Sequence, residues 1–331
     1  EKTMKAVLCN STKLDYEIIT KEIPKPSVGE VLVKVIVAPI HPSDPLRALS
    51  IFGPVSLPIQ MGLEGYGEVI EENSNDVKEG SSLKGKYVGF WSLKAFTWAE
   101  YTVVPRDELI EAPKYEKKDY GLAANFFLNP ITALGLVDIV KSGKYQSVAF
   151  NSGFSQVSKM IIQLLKQEGI KTLAIVRKEE QVKTLKDLGA TVVLNSSDSS
   201  FVSDLKSNVA SLGVKIFFDS VGGKGTTSIL TELSEGTAVH TYGGVSGEPV
   251  DQKVVDELKE KRGFTFDRYF FLGYYKKLIP DQQKAVSEKI AKELNSTFKS
   301  DINKFVKLEE ISSAFKEYNE NMSKGKIIIE L

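Results

Sequence analysis

The chain has 331 residues, a length that predicts about two domains, each with its own core. It carries 43 basic and 43 acidic residues, so nothing in its charge favours nucleic acid or an anionic membrane as a partner. No apolar run approaches the ~18 residues of a membrane span, so we expect a protein that is not integral to a membrane. Its single cysteine, Cys9, excludes an internal disulfide framework. Because the sequence starts at Glu1 and not at methionine, we expect a preceding segment to be missing.

The first third of the chain is typical of β-structure. The predicted strands are Met4–Cys9, Glu30–Pro39, the glycine-rich 62–70, Lys86–Trp91 and Ala99–Val104. Between the second and third of these strands, residues 40–45 form a predicted turn. Either Ser43 or Asp44 could cap a short helix that runs through Leu49.

From Asp119 onward, helices and strands alternate. Helices are predicted at Leu122–Leu128 and Pro130–Val140, with a break at Asn129 and Pro130. The strands that follow are predicted at 148–150, Thr172–Val176, Thr191–Leu194, Val214–Asp219 and Thr237–Tyr242. This alternation favours a parallel sheet with helices on both faces. A helix around Pro280–Leu294 then leads to a terminal strand, Lys326–Leu331.

Residues 148–176 have the order strand, turn, helix, strand. This is the first unit of a dinucleotide-binding sheet, in which a helix N-terminus faces a pyrophosphate. Such turns usually read G-x-G-x-x-G, because glycine lets the backbone approach the phosphates and lets the helix pack close to the strand. Here Gly153 is present, but Gln156 and Ser158 stand where the later glycines are expected. The order of elements predicts a nucleotide cofactor. Gln156 and Ser158 leave open whether the turn has room for its pyrophosphate.

Basic residues follow the second strand of this unit. Arg177 and Lys178 lie where an acid would bind a ribose hydroxyl and a base would bind a 2′-phosphate, so they favour NADPH over NADH. The alternative is a pair of solvated charges at a helix start. Thr132 could contact the nicotinamide, or it could simply mark the start of a helix. Glycine turns at 222–223 and 243–244 follow apolar strands, where ligands often approach the backbone.

A metal site is not expected, because zinc needs about three or four converging ligands. The candidate ligands His41, His240 and Cys9 are far apart in the sequence, and Glu64 has no histidine beside it. The aromatic residues of the β-rich part could line an apolar pocket, but such residues more often belong to the core. They are Tyr66, Trp91, Trp98 and Tyr101.

Several segments, in this order, resemble the medium-chain dehydrogenase/reductase superfamily, and within it the zinc-free branch of quinone oxidoreductases and mitochondrial 2-enoyl thioester reductases. The matching segments are 38–44 (APIHPSD), 62–65 (GLEG), 129–133 (NPITA), 176–177 (VR), 219–224 (DSVGGK), 241–244 (TYGG) and 325–329 (GKIII). The resemblance implies a GroES-like β-barrel domain, residues 1–120 and 279–331, and a Rossmann doubly wound parallel-sheet domain, residues 121–278.

The resemblance also implies NADPH as cofactor, an enoyl thioester, enone or quinone as substrate, and a homodimer or a subunit of a larger assembly. The compartment it implies is mitochondrial, with the cytoplasm as the alternative. The residues expected at the cofactor are Asn129, Thr132, Ser152, Gly153, Ser155, Gln156, Val157, Arg177, Tyr242, Gly243 and Gly244.

The chain departs from the family at positions expected to be functional. Phe52 stands where the enoyl reductases have a tyrosine that is thought to supply or organise the proton, and a phenyl ring has no proton to donate. Gln156 and Ser158 alter the glycine turn. Arg268 and Phe270 stand where many relatives have glycine and tryptophan. Two hypotheses follow: a reductase with a weakened or altered active site, or a catalytically inactive reductase fold that serves as a binding or structural subunit.

Overall fold

The computed structural model describes residues 2–75 and 80–331. The chain divides into two compact units. Unit 1 comprises Glu1–Pro130 and Lys276–Leu331, and unit 2 comprises Ile131–Tyr275.

The first segment of unit 1 is mostly β-structure. Its elements are β1 (Thr3–Cys9), β2 (Tyr16–Glu22), β3 (Glu30–Pro39), α1 (Asp44–Ala48), β4 (Ile59–Gln60), β5 (Glu64–Asn73), β6 (Tyr87–Trp91), β7 (Tyr101–Pro105), β8 (Leu109–Ala112) and α2 (Tyr120–Ala123). β1 pairs with β2 and β4, while β3 pairs antiparallel with β5 and β7. The side chains of β3 are apolar at most positions because the strand is buried for most of its length.

Helix α3 (Leu128–Ser142) begins in unit 1 and continues into unit 2. Unit 2 then alternates strands and helices: β9 (Ser147–Phe150), α4 (Gln156–Gln167), β10 (Lys171–Val176), α5 (Glu180–Leu188), β11 (Val192–Asn195), α6 (Phe201–Leu212), β12 (Ile216–Asp219), α7 (Gly223–Leu230), β13 (Ala238–Thr241), α8 (Gln252–Arg262), β14 (Thr265–Arg268) and α9 (Phe271–Lys276).

The sheet of unit 2 has the strand order β11-β10-β9-β12-β13-β14, and its paired strands are parallel. This confirms the predicted doubly wound sheet. The order reverses between β9 and β12, and at such a switch point the carboxyl ends of the strands open a crevice for ligands. The residues that follow β9, β12 and β13 therefore occupy the expected ligand-binding edge.

The chain returns to unit 1 for its last elements. These are α10 (Pro280–Lys292), β15 (Ile302–Lys307), α11 (Ile311–Glu320) and β16 (Lys326–Glu330). β16 pairs antiparallel with β3 and parallel with β15. This places residues of the C-terminal segment in the same core as β3, where Ile327 and Ile329 pack with Val33 and Trp98.

Two helical predictions were wrong. Residues 124–127 form turns, so the helix predicted to end at Leu128 stops at Ala123. No break occurs at Asn129 and Pro130, because Pro130 lies in the first turn of α3, where its missing N–H costs no helical hydrogen bond. Several elements were not predicted: β2, β4, β8, β14, β15, α8, α9 and α11. In β2 and α8, the polar sequences have weak hydrophobic periodicity.

Within residues 2–75 and 80–331, no single helix is long and apolar enough to cross a membrane. One bent pair, 117–123 with Leu128–Ser142, meets the criteria of length and composition when taken together.

Candidate functional site

The turn between β9 and α4, residues 151–155, is called here the α4 turn. It ends at Ser155, whose extended backbone (φ −65°, ψ 159°) makes it the N-cap of α4. The Ser155 side-chain oxygen accepts a hydrogen bond from the Ser158 amide at 3.1 Å. Serine is one of the preferred residues at this position because its oxygen satisfies an otherwise unpaired amide of the first turn.

Ser158 replaces an expected glycine, and its side chain is fully buried. The hydroxyl donates to the Ser152 carbonyl at 2.8 Å and lies 3.0 Å from the Ser155 hydroxyl. Ser158 therefore fills space inside the α4 turn and does not project outward from the start of the helix. Gln156 is the first residue of α4 and is half-buried.

Gly153 lies against the neighbouring strand. Its amide donates to the Ile175 carbonyl of β10 at 2.8 Å. A Cβ atom at position 153 would come within 2.9 Å of that carbonyl oxygen. The remaining glycine of the turn is therefore required for the close approach of the turn to β10.

A polar network joins the ends of β9 and β12. The Asn151 amide group donates to Asp219 Oδ1 at 2.7 Å, and its oxygen accepts from the Ser220 amide at 2.9 Å. Asp219 Oδ1 also accepts from the Thr226 hydroxyl and the Gly222 amide. These bonds fix the two strand ends on either side of the switch point.

Three buried polar atoms at this edge have no hydrogen-bond partner among the described residues: Asp219 Oδ2, the Ser220 hydroxyl and the Tyr242 hydroxyl. The Tyr242 hydroxyl faces the hydroxyls of Ser155, Ser158 and Ser220, and burial raises its pKa. Buried polar groups are normally satisfied, so an unsatisfied group at a strand edge indicates a place for a ligand or water. The set fits a polar cofactor at the start of α4.

The structure places the other predicted cofactor residues as follows. Asn129 and Thr132 lie in the first turns of α3, and the Thr132 carbonyl accepts from the Tyr269 hydroxyl at 3.1 Å. Arg177 is exposed directly after β10. Gly243 approaches the Ser220 backbone, where a Cβ would come within 3.2 Å of its carbonyl oxygen, and Gly244 faces open space.

The structure brings together the α4 turn and Tyr242, which are separate motifs in the sequence. It also adds Asn151 and Asp219, which were not among the expected cofactor residues. Their signal was available, because each is a polar residue directly after or at the end of a buried apolar strand. Polar residues in that position often serve the ligand-binding edge of a parallel sheet.

Unit 1 contains a second arrangement, here called the charge cluster: His41, Asp44, Glu64 and Lys326, each at most 8 % exposed. His41 Nε2 lies 2.5 Å from Glu64 Oε1, and His41 Nδ1 lies 2.8 Å from Lys326 Nζ. An ammonium group can only donate, so Nδ1 accepts and the ring proton lies on Nε2, toward Glu64. Asp44 accepts from the His41 amide at 2.6 Å.

Glu64 also holds the start of α3. Its Oε2 accepts from the Leu128 amide at 2.7 Å and from the Phe127 amide at 3.3 Å. A carboxylate in this position satisfies amides of the first turn and interacts favourably with the positive end of the helix. The carboxylate thus joins β5, His41 and the first residues of α3.

Burial shifts the pKa values of one base and one acid of the charge cluster in opposite directions. It lowers the pKa of Lys326 to about 8, against the opposing attraction of Glu64 and Asp44. It raises the pKa of Asp44 to about 6, although His41 and Arg47 favour the ionised form. Desolvation dominates in both groups because it penalises the charged state.

No group of three or more His, Cys, Asp and Glu residues that could hold a metal ion occurs among the described residues. His41 and Glu64 are in contact although they are far apart in the sequence. Both ring nitrogens of His41 already have a partner, which is Glu64 at Nε2 and Lys326 at Nδ1. The cation near Glu64 and Asp44 is the ammonium group of Lys326, in the place where a metal site would hold a metal ion.

Phe52 lies in an exposed stretch after α1. Its ring packs edge-on against Trp91, with centroids 6.2 Å apart, and 39 % of the residue is exposed. Ile51 and Leu93 are also exposed apolar residues of unit 1. The ring can therefore contact a substrate by packing but has no group that transfers a proton.

Comparisons with known proteins agree on one family. Residues 157–280 match the zinc-binding dehydrogenase family. A mitochondrial enoyl-[acyl-carrier-protein] reductase of Caenorhabditis elegans is 34 % identical over 259 residues, covering 74 % of this chain and 71 % of the relative.

Solved structures extend the likeness over the whole chain. A Mesorhizobium loti protein assigned as an NADPH:quinone reductase superposes with a TM-score of 0.83 at 25 % identity, covering 100 % of this chain and 99 % of the other. The mitochondrial 2-enoyl thioester reductase heterodimer of Candida tropicalis has a TM-score of 0.75 at 23 % identity and full coverage of both chains, a likeness of fold. The predicted combination of a GroES-like domain and a Rossmann domain is confirmed. From its parallel sheet, its relatives and its neighbours in fold, the chain belongs to the medium-chain dehydrogenase/reductase superfamily, in the zinc-free branch of quinone and enoyl reductases.

Proposed function

We propose that this protein is an NADPH-dependent reductase of an α,β-unsaturated thioester or an enone or quinone, with an active site altered at Phe52. The observation that carries the proposal is the set of unsatisfied buried polar atoms beside the α4 turn, at the switch point of a parallel sheet. Its relatives by sequence are named as enoyl-[acyl-carrier-protein] reductases, and one neighbour in fold is assigned as an NADPH:quinone reductase.

The proposed cofactor contacts lie mainly in unit 2. When bound, NADPH would supply a hydride to the β-carbon of the substrate double bond. The α4 turn and the first turn of α4 would bind the pyrophosphate, and the exposed Arg177 would pair with the 2′-phosphate. Thr132 and Asn129 would contact the nicotinamide end, with Tyr242, Gly243 and Gly244 at the carboxyl end of β13. A phenyl ring at position 52 leaves the proton for the α-carbon to water or to another group.

Titration with reduced nucleotide tests the proposal. We expect NADPH to bind more tightly than NADH, measured by nucleotide fluorescence, and we expect NADPH oxidation with a member of a 2-enoyl-CoA and quinone panel. The tighter binding follows from the charge of Arg177 opposite a 2′-phosphate. No binding at millimolar NADPH would exclude the reductase.

Restoring the missing hydroxyl is expected to raise the rate. Phe52→Tyr should increase kcat with 2-enoyl-CoA by roughly 10²- to 10⁴-fold, the range that a positioned general acid contributes. Steady-state assays of NADPH oxidation measure this change. Phe305→Tyr is the matched control, because it adds the same hydroxyl to another exposed phenylalanine of unit 1 and should leave kcat unchanged. Equal rates for both variants would show that position 52 does not limit proton transfer.

Phe52 itself favours a second candidate: a reductase fold that serves as a binding or structural subunit without turnover. The Candida tropicalis neighbour is named as a heterodimer, which supports assembly with another chain. We propose mitochondria as the compartment, because the relatives by sequence are named as mitochondrial enzymes. Binding of NADPH without oxidation in the presence of any substrate of the panel would favour this candidate over the reductase.

A further inference from the structure

A line of buried side-chain contacts in unit 1 runs from the last strand to the start of α3. Lys326 of β16 donates to His41 Nδ1 at 2.8 Å, and His41 Nε2 lies 2.5 Å from Glu64 Oε1. The other carboxylate oxygen of Glu64 accepts from the Leu128 amide at 2.7 Å. The residue after Leu128 is Asn129, a proposed contact of the nicotinamide. Lys326 is thus connected to a proposed cofactor residue through two side chains.

Other buried groups hold this line of contacts in place. The His41 amide donates to Asp44 at 2.6 Å, which fixes the backbone that carries the ring. The Lys326 ammonium also donates to the Tyr318 hydroxyl at 3.2 Å and is attracted by Glu64 and Asp44. Each of these five residues is at most 8 % exposed. Since solvent offers no replacement partners at such sites, each donor there has to meet an acceptor within the protein.

The lysine determines which nitrogen of the histidine carries the proton. A neutral imidazole has one donor nitrogen and one acceptor nitrogen. The ammonium of Lys326 can only donate, so His41 Nδ1 accepts and the proton stays on Nε2. With the proton on Nδ1 instead, Nε2 and Glu64 Oε1 would be two acceptors facing each other. Lys326 therefore selects the tautomer that lets one oxygen of Glu64 bind the ring while the other binds α3.

The start of α3 depends on this choice of tautomer. We propose that Lys326 is a positioning residue for the nicotinamide end of the cofactor. It fixes the tautomer of His41, which sets Glu64 on the first turn of α3 and holds Asn129 in place. The role rests on the proposed NADPH binding. The 2′-phosphate and the pyrophosphate are assigned to residues of unit 2, which the line of contacts does not include.

Two nucleotides separate the ends of the cofactor: NADPH, and 2′,5′-ADP, which has the adenosine and the 2′-phosphate but no nicotinamide. Lys326→Met should weaken NADPH about threefold to tenfold, the contribution of one hydrogen bond, and leave 2′,5′-ADP unchanged. Asn129→Ala, outside the charge cluster, should give the same pattern. Lys324→Met removes an exposed lysine two residues earlier and is the matched control, with both affinities unchanged. Isothermal titration calorimetry measures these affinities.

Glu64→Gln tests the tautomer by rescue. A side-chain amide has one acceptor atom, so it cannot accept from both His41 Nε2 and the Leu128 amide. This variant should also weaken NADPH and leave 2′,5′-ADP unchanged. Adding Lys326→Met frees the ring to carry its proton on Nδ1, and the introduced amide can then donate to Nε2. The double variant should therefore bind NADPH more tightly than Glu64→Gln alone.

NMR of the imidazole nitrogens detects the tautomer directly. The chain has two histidines, so His240→Asn assigns the signals of His41. The measurement belongs at about pH 7, below the lowered pKa of Lys326, where the ammonium is present. The unsubstituted protein and Lys324→Met should carry the proton on Nε2, and Lys326→Met should lose this preference. A purely structural role of Lys326 predicts the same tautomer in all three proteins.

The outcomes are separable. If the unsubstituted protein does not bind NADPH, the proposed function fails and the positioning role fails with it. If NADPH binds, and Lys326→Met weakens both nucleotides equally or neither of them, the positioning role is wrong while the proposed function stands. A proton on His41 Nδ1 in the unsubstituted protein would also overturn the role. Should Lys326→Met not fold, the same two affinities of Glu64→Gln decide, with equal changes in both again contradicting the role.

Discussion

Replacing Glu64 with leucine is expected to destabilise unit 1 by about 3–5 kcal/mol, the cost of removing one partner from a buried ion pair. The change leaves the His41 Nε2 proton and the amides of Phe127 and Leu128 without their acceptor. It also leaves the Lys326 ammonium with less compensation. Urea unfolding followed by tryptophan fluorescence measures the effect in unit 1, because both tryptophans of the chain, Trp91 and Trp98, lie there.

The control for this change lies on the same strand. Glu71 is an exposed residue of β5, and Glu71→Leu should alter the free energy of unfolding by no more than about 0.5 kcal/mol. Glu64→Gln should fall between the two, because its amide oxygen can still accept one hydrogen bond. If Glu64→Leu and Glu71→Leu unfold at the same urea concentration, Glu64 does not hold the start of α3.

Lys326 is expected to make unit 1 more stable as the pH rises from about 8 to about 10.5. Burial lowers its pKa in the folded protein to about 8, from an ordinary value of 10.5. Between these values the unfolded chain binds a proton that the folded chain does not, so deprotonation favours folding. Across this pH range the free energy of unfolding should rise by about 3 kcal/mol, because each unit of pKa difference corresponds to ~1.4 kcal/mol.

This contribution is measured as a difference between two proteins. The free energy of unfolding of Lys326→Met, subtracted from that of the unsubstituted protein, should rise with pH across the window, since other titrating groups are common to both. Lys324 is exposed and lies two residues earlier, so Lys324→Met should retain the pH dependence of the unsubstituted protein. Parallel curves for the unsubstituted protein and Lys326→Met would contradict the lowered pKa.

The regular elements were predictable where hydrophobic pattern alone determines structure. The β-branched run Glu30–Pro39 was predicted with its observed bounds. Five of the six strands of the parallel sheet were placed within a few residues, and the edge strand β14 was not predicted. The start of α3 was not predicted correctly, because a proline is typical both of a helix break and of the first turn of a helix. What decides between them is the Glu64 carboxylate on the Leu128 amide, 64 residues away in sequence.

The candidate site was predictable in outline and not in its contacts. Sequence showed that glycine is absent at position 158, but it could not show that the serine turns inward to the Ser152 carbonyl. In the sequence, Glu64 has no histidine beside it. Its partner His41 comes shortly after β3, whereas Glu64 is the first residue of β5. Antiparallel pairing of these strands brings the two together. Side-chain direction and long-range pairing are properties of the folded chain.

The charge cluster also has a consequence for the order in which the protein folds during synthesis. His41 and Lys326 are separated by 285 positions, and β3 lacks its β16 neighbour until residues 326–330 have left the ribosome. Unit 2 is continuous in sequence, so it can complete its own core earlier. A growing chain would thus carry a folded unit 2 while the buried acids of unit 1 still lack their lysine. Chaperones that hold nascent chains would therefore meet residues 1–130 as part of the last unit to fold, although they are made before unit 2.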